Sequence, residues 1–213
     1  MVVAPSQSPR TSYSPDVAGS TPRVGMLALQ GAFREHVQAL ERLGATAVEV
    51  RTPAELDGLD GLMLPGGEST TMDLLLDSSG LRGPITAVVT AGLPVFGTCA
   101  GLILLANDIE DGTEGQRTLE ALDVTALRNG YGRQVASFEA AVDLAGEEAP
   151  MVGIFIRAPR ITRVGENVEV LATVGDEPVA VRSGSIMAAT FHPELAHDDR
   201  LHARFLERVT THS

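Results

Sequence analysis

The chain has 213 residues, enough for one domain with a full core, and 44% of them are hydrophobic, too many for a disordered chain. Its formal net charge of −12 opposes binding to nucleic acid or an anionic membrane surface, and no apolar run reaches the ~20 residues of a spanning helix. A single cysteine, Cys99, forms no internal disulfide, which points to a reducing, cytoplasmic setting.

Residues 1–22 are rich in Ser and Pro and carry no periodic apolar pattern. They read as a disordered tail ahead of a single domain over residues 23–213. "RVGMLAL" (Arg23–Leu29) reads as a buried strand. In the stretch after it, Phe33, Val37, Leu40 and Leu43 recur at helical spacing, and Gly44 suits the C-terminal cap. Strands follow over Ala45–Val50 and Leu59–Gly67, the second ending in a glycine turn. "STTMDLLLDSSG" reads as a helix starting near Ser69 or Thr70, and Arg82–Ala91 as another with Pro84 in its first turn. "LPVFG" is a fourth strand and "AGLILLAND" a helix, after which "DIEDGTEGQR" reads as an acidic surface loop. Strand-like runs follow at Leu122–Leu127, Val135–Val142, Val152–Ile156, Val168–Val174, Pro178–Arg182 and Ser185–Thr190, and "HDDRLHARFLERV" closes the chain as a helix. Strands alternating with helices imply an α/β fold of three layers around a mixed, mostly parallel sheet.

Three stretches carry chemistry. In "PVFGTCAGLILLA", Cys99 lies between a strand and a helix and is flanked by Gly97 and Gly101. A buried structural thiol fits this placement, and so does a nucleophile raised on a tight turn at the carboxyl edge of the sheet. "TFHPEL" shifts that balance. In an extended segment His192 and Glu194 point to the same side, where the carboxylate can fix the imidazole tautomer and stabilise its charged form. "LPGGES" places two glycines at a strand end, a loop able to present backbone N–H groups to an oxyanion.

With "LQGAFREH", "LPGGESTTM", "PVFGTCAGLILLA", "RNGYGRQVASFEA", "GIFIRAPRI" and "FHPEL" together, the chain resembles the class I glutamine amidotransferases. Within them it resembles the glutaminase subunits of pyridoxal 5′-phosphate synthases, of flavodoxin-like fold. The resemblance implies hydrolysis of L-glutamine to L-glutamate and ammonia, and delivery of the ammonia to a (β/α)8-barrel synthase subunit. It implies Cys99 as nucleophile, His192 as its base and Glu194 as the orienting carboxylate. Gly67, Glu68, Ser69, Arg128, Ile156 and Arg157 are the implied glutamine contacts, and the Gly67 and Ala100 amides the implied oxyanion hole. No metal and no organic cofactor are expected. Two rival readings are a non-catalytic regulatory module and a hydrolase of other γ-glutamyl compounds on the same scaffold.

Overall fold

The computed structural model describes residues 21–31, 33–132 and 137–212. The expected tail, apart from Thr21 and Pro22, lies outside them, as does the start of the strand expected from Val135.

Twelve strands and five helices follow one another along the described chain. β1 (Arg23–Leu27), α1 (Phe33–Arg42), β2 (Thr46–Val50), β3 (Gly61–Leu64), α2 (Ser69–Ser78), α3 (Arg82–Thr90), β4 (Val95–Thr98) and α4 (Ala100–Leu105) build the first half. β5 (Ala106–Glu110), β6 (Leu122–Leu127), β7 (Ser137–Leu144), β8 (Met151–Ile156), β9 (Arg160–Val164), β10 (Glu169–Val174), β11 (Glu177–Ser183), β12 (Ile186–Ala189) and α5 (Arg200–His212) complete it. Nine strands form one sheet in the order β2-β1-β3-β4-β12-β11-β10-β7-β8, and β5-β6-β9 form a smaller one. The large sheet is parallel from β2 to β12 and antiparallel from β12 to β8.

The period-2 alternation of the strands sorts the core into two halves. Leu62, Leu64, Val95, Ile186 and Ala188 face the side covered by α2, α3 and α4. Met63, Phe96, Met187 and Ala189 face the side covered by α1 and α5. Phe96, Phe205, Leu40 and Met63 are fully buried, each contributing about 1.5–3 kcal/mol of transfer free energy. Among the described residues no helix is long and apolar enough to cross a membrane.

Three local expectations are corrected. α4 does not run on to Asp108, because the Leu104 and Leu105 carbonyls accept hydrogen bonds from Leu119 and Ala121 at 2.7 and 3.0 Å. Ala106–Glu110 is instead a strand, paired in parallel with β6. β9, absent from the sequence reading, pairs antiparallel with β6; its arginines Arg160 and Arg163 look like loop residues in sequence but bond Glu177 and Asp123. The segment after His192 is not extended: Pro193–Leu195 form a single 3-10 turn, for which proline's fixed φ suits the first position.

Candidate functional site

β4 and α4 meet at Cys99. Its backbone has φ 50° and ψ −104°, a region that costs a non-glycine residue about 1–3 kcal/mol. The neighbouring strand holds the bend, with the Cys99 amide donating to the Ala189 carbonyl at 2.8 Å. A Cβ at position 101 would sit 2.0 Å from the Leu64 carbonyl oxygen, so only glycine lets α4 pack this closely on β3. The result is a thiol lifted off the sheet edge, 6% exposed, with Sγ 3.9 Å from the Ile156 carbonyl oxygen.

His192 stands beyond the end of β12. Its amide donates to the Ile154 carbonyl at 2.9 Å, so β8, last in the ladder order, returns to wall the site. Phe155 packs on Phe191 with ring centroids 5.3 Å apart and fixes that return. The 3-10 turn swings Glu194 back under the imidazole, placing Nδ1 2.7 Å from Oε1. Burial works against charge on His192. The hydrogen bonds with Cys99 and Glu194, and the negative charge of Glu194, outweigh it and push the pKa up to about 10.

One cavity of about 280 Å³ gathers the predicted residues. Gly67, Glu68, Ser69, Cys99, Ala100, Arg128, Ile156, Arg157 and His192 all line it, while Glu194 lies behind His192. Glu68 also shapes the backbone around it. Its carboxylate caps α2, accepting from the Thr71 amide at 2.7 Å and the Thr70 amide at 3.3 Å, and it holds Arg128. Partial burial opposes the Glu68 charge, but the hydrogen bonds from Thr71 and Thr70 and the Arg128 cation hold its pKa below the usual value.

The "PGG" loop is clamped from the first strand's exit. Gln30 Nε2 donates to the Glu68 carbonyl at 2.9 Å. A Cβ at position 31 would lie 1.8 Å from the Gly66 oxygen, and one at position 66 would lie 2.3 Å from the His192 ring. Sequence reasoning missed Gln30 and Gly31 as parts of the site, and it missed two histidines. His36 and His202 are buried behind Glu194. Their signal was present: each falls on the apolar face of its helix, His36 with Leu40 and His202 with Phe205, Leu206 and Val209.

The chain matches the SNO glutamine amidotransferase family over residues 26–211. It belongs to that family. Similar family members include the protein named pyridoxal 5′-phosphate synthase subunit PdxT in Parafrankia sp. (strain EAN1pec), 55% identical over 89% of this chain and 94% of that protein. The protein of the same name in Deinococcus radiodurans is 54% identical over 86% of this chain and 95% of its own. A solved structure described as a glutamine amidotransferase is 49% identical, covers 88% of this chain and 98% of its own, and superimposes with a TM-score of 0.82. A putative GMP synthase subunit from Thermoplasma acidophilum, 17% identical with a TM-score of 0.64, shares the class I fold alone. The family's enzymes are glutamine amidotransferases, and this chain is one of them.

Proposed function

We propose that this chain hydrolyses L-glutamine to L-glutamate and ammonia through Cys99, His192 and Glu194, in the cytoplasm, and passes the ammonia to a (β/α)8-barrel pyridoxal 5′-phosphate synthase subunit. The observation that carries the reading is a thiol on a strained elbow sharing one cavity with an imidazole held by a buried carboxylate. The names of the relatives support the partner.

With the ion pair formed, so that the thiol proton is on His192, the Cys99 sulfur attacks the side-chain amide carbon of glutamine. The oxyanion is met by the Gly67 and Ala100 amides. His192 hands its proton to the nitrogen, the C–N bond breaks, and ammonia leaves a thioester. Water then adds to the thioester, its proton going to His192. The C–S bond breaks, giving glutamate and restoring the ion pair. Glu194 keeps the imidazole oriented and stabilises its charge throughout. Free glutamine carries an α-carboxylate and an α-ammonium. Arg128 and Arg157 suit the first, and Glu68 suits the second.

Ammonia release from glutamine, measured for the full chain alone and with the barrel subunit, tests the whole reading. Release that depends on Cys99 and rises when the partner is added is expected. No release in either case points to the regulatory module. Release from other γ-glutamyl compounds in preference to glutamine points to the second rival.

A further inference from the structure

Behind Glu194 lies a row of buried polar groups outside the lining of the cavity. The Glu194 side chain is fully buried, and only Oε1 is engaged by His192. The other oxygen, Oε2, has no well-aligned hydrogen bond among the described residues, and the cation-capable atom facing it is His36 Nε2 at 3.4 Å. His36 Nε2 is also 3.1 Å from Thr98 Oγ1, and its Nδ1 is 2.9 Å from His202 Nε2. His202 Nδ1 has no partner among the described residues.

The two imidazoles share one proton between them, which leaves two arrangements. In the first, His202 Nε2–H donates to His36 Nδ1, and the His36 proton sits on Nε2, directed at Thr98 and Glu194. A bare nitrogen on His202 is then unmet, and Glu194 Oε2 faces that N–H across 3.4 Å without a well-aligned bond. In the second, His36 Nδ1–H donates to His202. A nitrogen lone pair then faces the buried carboxylate, Glu194 Oε2 has no donor at all, and His202 buries an unpaired N–H. Lone-pair repulsion at the carboxylate and a buried unpaired N–H, both confined to the second, decide for the first. Neutral imidazoles are what the place requires, because a second cation here would draw the carboxylate's field away from His192. Burial, with His202 and His192 nearby, keeps His36 well below the ordinary imidazole value. Burial likewise holds His202 near 4, against Asp199 and Asp198 and with Arg42 adding to the shift.

We propose that His36 is a positioning residue for the reaction: fixed as its Nε2–H tautomer by His202, it donates to the oxygen of Glu194 that His192 leaves free and so locks the carboxylate's rotation. This rests on the Cys99–His192–Glu194 reading. Leucine at position 36 removes the donor, while glutamine carries an amide N–H to nearly the place of Nε2. His36→Leu is expected to lower kcat about 10- to 100-fold, the scale of lost outer-shell support, with KM for glutamine within about twofold. His36→Gln is expected to recover most of that loss. Nitrogen NMR of the full wild-type chain, with labelled histidine and the His36 signals identified by their loss in His36→Gln, is expected to show Nε2 protonated and Nδ1 bare.

A His36→Leu enzyme that turns over like wild type, or loses only in KM, overturns the proposal, and so does a His36 proton on Nδ1. If His36→Leu does not fold, the wild-type spectrum decides. A Cys99→Ser enzyme that keeps its activity overturns the underlying reading instead, a separate and recognisable failure.

Discussion

The two ends of the cavity are built on opposite principles. At the inner end, behind the His192 wall, Glu194 and His36 have no exposed side-chain surface, and the partners they have are protein groups. At the outer end the Arg128 and Glu68 side chains are 20% and 38% exposed, and water shares their charges. Charges fixed in a dry interior act at full strength on a reacting group and need no reorganisation. Charges at a wet rim attract and orient a soluble zwitterion but are screened. The inner end is therefore expected to control turnover, and the outer end affinity.

The sharpest break falls on the inner end. Cys99→Ser keeps the shape but offers a far weaker nucleophile, and its loss of ammonia release is expected to approach the roughly 10⁶-fold seen when a hydrolase loses its nucleophile. Glu194→Gln keeps a hydrogen bond to His192 without its charge and allows the wrong tautomer. A fall in kcat of about 10⁴-fold with little change in KM is expected from steady-state kinetics. At the outer end, Arg128→Ala is expected to raise KM about 10- to 100-fold, the worth of a hydrogen bond to a charged group, while kcat stays within a few-fold. Should Arg128→Ala and Glu194→Gln alter kcat and KM in the same proportion, the division between the ends is wrong.

The smallest effects are in stability against pH, and they too separate the ends. The His192 pKa is raised from 6.5 to about 10 in the fold. Its contribution is fully present below 6.5 and lost as pH climbs through about 10. The His202 pKa is lowered from 6.5 to about 4. The unfolded chain then binds more protons in that window, so stability falls as pH drops from 6.5 toward 4. Denaturant melts across pH are expected to show both slopes in wild type. The alkaline slope should flatten in His192→Asn and the acid slope in His202→Phe, with Arg128→Ala altering neither.

What could be read from sequence divides along similar lines. The first half of the fold was legible because β1, β3 and β4 are short apolar runs, β2 alternates and α1 repeats at helical spacing, punctuated by Gly44 and Gly80, both at positive φ. Cys99, His192 and the "PGG" loop stood out because glycine and proline mark backbone geometry that few segments require. The helix end at Leu105 was hidden, since the hydrogen bonds that stop it come from Leu119 and Ala121. The His36–His202 pair was hidden for a related reason: 166 residues separate the partners. Each looks like an ordinary polar residue on an otherwise apolar helix face until the other is placed beside it.

Gly31, Gly66 and the His192 ring are packed so closely that a side chain at 31 or 66 has no room beside the cavity. These two positions are closed to gradual drift, because every codon change at 31 or 66 adds at least a carbon where an atom already stands. Novelty in what the site accepts is left to other residues that line the cavity, among them Asn129, Ile156 and Leu195. Libraries that seek a new amide therefore belong at those positions and not at the glycines.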